Sequence, residues 1–133
     1  IIDTPPGTGD IHITILQNMA ADGVIFVTTP QMMAMDDVEK AISMYRNPQI
    51  GIPVIGVVEN MSWFTPTAHP DEKYFLFGKG GGERLAAEFG IPLLAQIPVN
   101  ESVGISCDGG RMSDLTLDKQ IHGAFMKLVD IIT

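Results

Sequence analysis

Short apolar runs alternate along this chain with longer segments whose apolar residues recur every three or four positions. The runs are Ile1-Ile2, Gly23 to Thr29, Pro53 to Val58, and Leu93-Leu94-Ala95-Gln96-Ile97. Runs of this kind, bounded by Gly, Pro or Asp, read as strands buried on both faces. Between the first two, Asp10 can cap a helix whose Ile11, Ile15, Leu16 and Met19 share one face. A second helix is predicted from about Met33 to Tyr45. Its apolar stripe is Ala34, Val38, Ala41, Ile42 and Tyr45, with Asp36, Asp37 and Glu39 near its positive end. Gly82 to Phe89 reads as a short helix closed by Gly90, with Pro92 shortly after. The last helix runs from about Leu117 to Ile132, with Leu117, Ile121, Phe125, Leu128 and Ile132 on one side. This alternation predicts an α/β fold: a mostly parallel sheet with helices on both faces.

In such sheets ligands bind at the carboxyl ends of the strands. The first run ends in Asp3, followed by Thr4-Pro5-Pro6-Gly7-Thr8-Gly9-Asp10. A carboxylate at that place can hold Mg²⁺ through a water, and the glycines let backbone N–H groups approach a phosphate. A turn former at Asp3 and a helix cap at Asp10 explain the same residues equally well. The third run leads into Glu59-Asn60-Met61-Ser62. Asn60 can offer a donor and an acceptor to a purine edge, or simply satisfy its own loop backbone. Pro98, after the fourth run, can pack on a flat base.

Gly78-Lys79-Gly80-Gly81-Gly82 imitates a phosphate-binding loop but lacks the Gly-Lys-Ser/Thr ending, since Glu83-Arg84 follows. A glycine-rich hinge to the next helix is the better reading. The stretch from Ser62 to Lys79 is irregular and too long for a simple connector. Its Trp63, Phe64, Tyr74, Phe75 and Phe77 either pack on the parent domain or anchor a partner.

Composition narrows the function classes. The 133 residues carry 45% hydrophobic and 18% charged residues, as a packed domain does. No apolar stretch approaches the length of a membrane span, which predicts a soluble protein. A formal charge of −8 argues against a nucleic-acid-binding surface. The one cysteine, Cys107, excludes an internal disulfide and any CxxC site. The opening in Ile1-Ile2-Asp3 without an initiating Met reads as a fragment, with any targeting signal outside it.

Taken together, four strings are more specific than their parts. They are Ile1-Ile2-Asp3-Thr4-Pro5-Pro6-Gly7-Thr8-Gly9-Asp10, Val27-Thr28-Thr29-Pro30-Gln31 with Asp37-Val38, Val57-Val58-Glu59-Asn60-Met61-Ser62, and Phe77-Gly78 through Gly80-Gly81-Gly82. In this order they resemble the Mrp-type iron–sulfur carrier ATPases of the ParA/MinD P-loop class, over essentially the whole chain. The resemblance implies that residues 1–133 are the C-terminal part of a single P-loop ATPase domain whose Walker A loop lies upstream. It implies a cytoplasmic homodimer that uses ATP and Mg²⁺ to carry an iron–sulfur cluster to apo iron–sulfur proteins. By the same resemblance Asp3 is the Walker B carboxylate organising Mg²⁺, Gly7 belongs to a switch facing the γ-phosphate, and Asn60 reads adenine with Pro98 nearby. Residues 1–133 alone are then expected neither to hydrolyse ATP nor to bind it tightly. The family's Cys-Pro-x-Cys departs here to Thr65-Pro66-Thr67-Ala68, and neither Thr65 nor Ala68 is an iron ligand. A nucleotide-gated dimerisation module with no cluster is the competing expectation.

Overall fold

Residues 1–5, 9–113 and 118–133 are described by the structure, a computed structural model. Helix α1 spans Asp10–Asn18, and strand β1, Val24–Thr28, leads into α2, Met32–Tyr45. Then follow β2, Val54–Glu59, α3, Gly81–Phe89, and β3, Leu93–Gln96. Two helices close the described chain, α4 at Glu101–Asp108 and α5 at Lys119–Ile132. The three strands form one parallel sheet in the order β1-β2-β3.

Because successive strand residues point to opposite faces, the sheet builds two apolar layers. Phe26 and Val57 meet Ile42, Tyr45 and Ala86 under α2 and α3. Val58, Leu94 and Ile97 meet Ile121 of α5 on the other face. Helices therefore cover both faces, as the alternation predicts. Gly90 closes α3 in the left-handed region at φ 58°. A helix end there exposes carbonyls that a left-handed C′ residue lets the backbone satisfy, and glycine adopts that φ without strain.

Several expectations are corrected. Ile1-Ile2 is not a strand; Ile2 is 49% exposed, and two residues offer too few ladder bonds to offset their ordering. Val27 of β1 is 59% exposed, so this strand is not buried on both faces. The reason is that α5 lies against β3, leaving the β1 side of that face open. Among the described side chains of α1 the buried one is His12, whereas Ile11 and the C-cap Met19 are exposed. On α5 the buried face runs through Ile121, Ala124 and Leu128, and Phe125 and Ile132 lie off it. Leu117 and the side chain of Leu16 lie outside the described residues. Helix α4 was not anticipated: its Gly104 and polar residues give no apolar period, and its start is marked by Asn100, whose side chain accepts from the Ser102 N–H. Among the described residues no helix is long and apolar enough to cross a membrane.

Candidate functional site

The carboxyl edge of the sheet gathers the strand ends. Thr28 pairs with Glu59, and Glu59 with Gln96, so the residues that follow lie side by side. The Asn60 N–H donates to the Thr28 carbonyl at 2.7 Å, and Ile97 N–H donates to the Glu59 carbonyl at 2.8 Å. Ser62, 1% exposed, returns a backbone bond to the Ile97 carbonyl at 3.0 Å and a hydroxyl bond to the Glu59 carbonyl at 2.9 Å. Asn60 and Pro98 are thus brought to one edge. The Asn60 Oδ1 accepts from the Met61 N–H at 2.9 Å, while Met61 stands at φ 56°. A non-glycine residue there is a strained turn, of the kind that gathers at binding sites. Pro98 is buried and lines a cavity of about 360 Å³ with Trp63, Lys73, Gln96, Gln120 and Lys127, whose described lining does not include Asn60.

The residue that sequence reasoning passed over is Glu59. It is 1% exposed, and its Oε2 accepts the Gly82 N–H at 2.6 Å while Oε1 accepts from Gln96 Nε2 at 3.0 Å. A charged residue closing a wholly apolar strand was the available signal, because buried acids are rare unless paired.

The glycine run is no hinge. Gly78 and Gly80 hold φ 99° and 72°, and a Cβ on Gly81 would stand 2.6 Å from Met35 Sδ and 2.9 Å from Pro30 Cα. A Cβ on Gly82 would stand 2.8 Å from that of Glu59. The run is a tight seat for α3 between the ends of β1 and β2, and Lys79 Nζ lies 4.8 Å from the Phe75 ring centre.

Asp3 is not brought to this edge. It is exposed, and its segment is tied through the Pro5 carbonyl to His12 Nε2 at 2.9 Å. His12 Nδ1 lies 3.3 Å from the Tyr45 hydroxyl, whose pKa burial raises above the ordinary tyrosine value. The carbonyl partner makes Nε2 the donor, so Nδ1 accepts from the phenol. Tyr45 ends α2 and lines a cavity with Pro53 and Val54, near the start of β2, so this segment anchors toward the opposite edge of the sheet. Gly7 lies outside the described residues. Magnesium keeps several waters and takes one or two carboxylates together with substrate phosphates, and among the described residues no three His, Cys, Asp or Glu side chains gather. Asp3, a single carboxylate, could hold the ion only together with waters and phosphates.

Between β2 and α3 the chain leaves the sheet. Phe64 and Tyr74 exchange backbone bonds at 2.8 Å, and Val99 N–H donates to the Trp63 carbonyl at 2.7 Å. Trp63, Phe64 and Phe77 are half-buried on the domain, whereas Tyr74, Phe75 and Leu76 are 45%, 39% and 60% exposed. Lys73 Nζ stands 3.9 Å from the Trp63 ring centre. The Thr65 hydroxyl and the Trp63 indole nitrogen are buried with no hydrogen-bond partner among the described residues. Ala68 is exposed, and His69 faces Glu72 at 3.7 Å in solvent. Cys107 is exposed on α4, with Met112 Sδ 3.4 Å from its Sγ.

A family model described as ParA: NUBPL iron-transfer P-loop NTPase matches residues 1–133. An iron–sulfur cluster carrier protein of Aquifex aeolicus is 38% identical over 134 residues, covering 100% of this chain and 36% of the relative. An Arabidopsis thaliana iron–sulfur protein required for NADH dehydrogenase, mitochondrial, is 42% identical over 110 residues, covering 83% of this chain and 34% of that one. The chain spans about a third of the length of these relatives. A nucleotide-binding protein from Archaeoglobus fulgidus, solved in complex with ADP, superposes with a TM-score of 0.69 at 37% identity, covering 80% of this chain and 43% of that chain. With a family match across all described elements and a parallel sheet to house it, the chain belongs to the NUBPL iron-transfer P-loop NTPases of the ParA group.

Proposed function

We propose that this chain supplies the base-reading half of an ATP-binding and ATP-hydrolysing carrier that delivers iron–sulfur clusters to apo iron–sulfur proteins as a homodimer. The observation that carries the reading is the convergence of Thr28, Asn60 and Pro98 on one carboxyl edge, where a doubly covered parallel sheet binds its ligands. The ADP held by the Archaeoglobus neighbour supports nucleotide as that ligand. In this reading the Asn60 carboxamide nitrogen donates to the base while its oxygen stays on Met61. Asp3 takes the Walker B role when Ile1-Ile2 extends a strand beside β1, which stands at one end of the described strand order β1-β2-β3. Gly7 then lines the γ-phosphate, and the lysine that neutralises it comes from outside residues 1–133.

The cluster is cargo, and this chain brings no thiolate pair to it. Thr65 and Ala68 stand where the family's cysteines fall, and thiolates are the usual cluster ligands. That substitution, with the exposed Tyr74-Phe75-Leu76 ridge, favours a second reading in which a nucleotide-gated dimer recruits partners without a cluster. A cytoplasmic place is part of this reading, and the relatives include one named cytosolic and one named mitochondrial.

Anaerobic reconstitution of the full-length protein with iron and sulfide separates the readings. Sulfide-linked iron, with a visible charge-transfer spectrum, supports the carrier. ATP turnover with no bound iron moves the assignment to the cluster-free module. Loss of both iron and nucleotide binding would sink the two together.

A further inference from the structure

The excursion between β2 and α3 leaves the carboxyl edge at Asn60 and returns at Gly81, and its two ends meet at one side chain. The Glu59 carboxylate precedes Asn60 directly, accepts the Gly82 N–H at 2.6 Å and is braced by Gln96 of β3 at 3.0 Å. The return is so close that Gly81 and Gly82 leave no room for a Cβ against Pro30, Met35 and Glu59. A carboxylate buried to 1% exposure is costly, and an apolar side chain of the same volume would serve packing alone as well or better. What the acid adds is directional bonding among β2, β3 and the first turn of α3. Both oxygens are engaged, so a shift at Asn60 passes to Gly82 instead of being absorbed by a loose side chain.

We propose that Glu59 is a positioning residue that clasps the neck of the 60–81 excursion and couples nucleotide at Asn60 to the excursion's placement. This rests on the nucleotide reading above. The exposed Tyr74-Phe75-Leu76 ridge and the buried Thr65 hydroxyl, which has no partner among the described residues, both ride on this excursion, so the clasp links the ligand edge to the surface that a partner would meet. A ligand moves such an element only if it favours one of its placements, and coupling of this kind is typically worth about fivefold or more in equilibrium.

Hydrogen exchange of the full-length protein, with and without ATP, tests the coupling on the peptides covering residues 62–78. Bound ATP should change exchange there by about fivefold or more in the wild type. Glu59→Ala should abolish that difference, with ATP saturating in both proteins as fixed by the Kd measured for each. Glu59→Gln should keep the response, because its amide oxygen still accepts from Gly82 and the Gln96 amide can turn its own oxygen toward the new NH2. Gln96→Ala, a milder loss, should give an intermediate response if Glu59→Ala does not fold. An unchanged ATP response in Glu59→Ala, or none in ATP-bound wild type, overturns the coupling. If the wild type binds no ATP, the nucleotide reading fails and the coupling with it. The clasp is then judged by nucleotide-free exchange at residues 81–84, which Glu59→Ala should accelerate; unchanged exchange there overturns the clasp as well.

Discussion

The carboxyl end of β2 and the first nineteen residues each place a carboxylate beside glycines, and they come to opposite ends. Glu59 is 1% exposed, with both oxygens bonded, on a strand flanked by two parallel neighbours. Asp3 is exposed on a segment outside the sheet, moored by a single described side-chain bond from His12 to Pro5. The difference lies in the pairing. A strand between two others has its backbone polar groups satisfied and its direction fixed, so the side chain at its end inherits a defined position. An apolar pair with no ladder partner inherits none, whatever motif it precedes.

Removing Glu59 should break that contrast most. Glu59→Ala strands the buried Gly82 N–H and the half-buried Gln96 amide and deletes two charge-assisted bonds, which costs about 3 to 5 kcal/mol. Equilibrium urea unfolding of the full-length protein measures it, and a cost under about 1 kcal/mol would mean that the clasp contributes little. Gly82→Ala comes next. Its Cβ would meet Glu59 Cβ at 2.8 Å, and overpacking of this kind costs about 1 to 3 kcal/mol, read from the same titration.

The parallel sheet, the α2 and α3 boundaries and the left-handed Gly90 were legible because period and punctuation act locally. What escaped depended on neighbours. The open face at Val27 follows from where α5 docks, and nothing within the Val24–Thr28 run encodes that. The glycine run looked like a hinge because glycine permits both freedom and close approach; the packed Pro30 and Met35 decide for the second. The places of Asn60 and Pro98 at strand ends were legible from the apolar runs before them, but the bonds of the acid beside them depend on Gly82 and Gln96. His12 was missed because α1 is amphipathic in the wrong sense: its exposed Ile11 and Ile13 outnumber its one described buried residue.

Within the excursion, a smaller substitution separates a shaped site from an incidental one. The Thr65 hydroxyl is buried with no described partner. Thr65→Val keeps the shape and removes the unsatisfied group, so it should stabilise the protein by about 1 kcal/mol. A rise in the urea midpoint at constant m-value is the expected record. A loss instead would reveal a partner for the hydroxyl supplied by the rest of the protein or by a ligand.

The smallest effect within residues 1–133 alone belongs to the N-terminal region, and its size in the whole protein tests the pairing. Ile11 is 57% exposed, so Ile11→Ala in the 1–133 chain should change stability by no more than about 0.5 kcal/mol. The functional reading requires more of the full-length protein. There Ile1-Ile2 must pair beside β1 for Asp3 to reach the nucleotide, and α1 must then turn its isoleucines against that added strand. Burying Ile11 in this way raises the cost of the same substitution to about 2 kcal/mol or more. The two urea titrations should therefore disagree. Agreement at the lower value would leave α1 uncovered in the whole protein too, and Asp3 would lose its proposed place at the phosphates while Asn60 and Glu59 kept theirs.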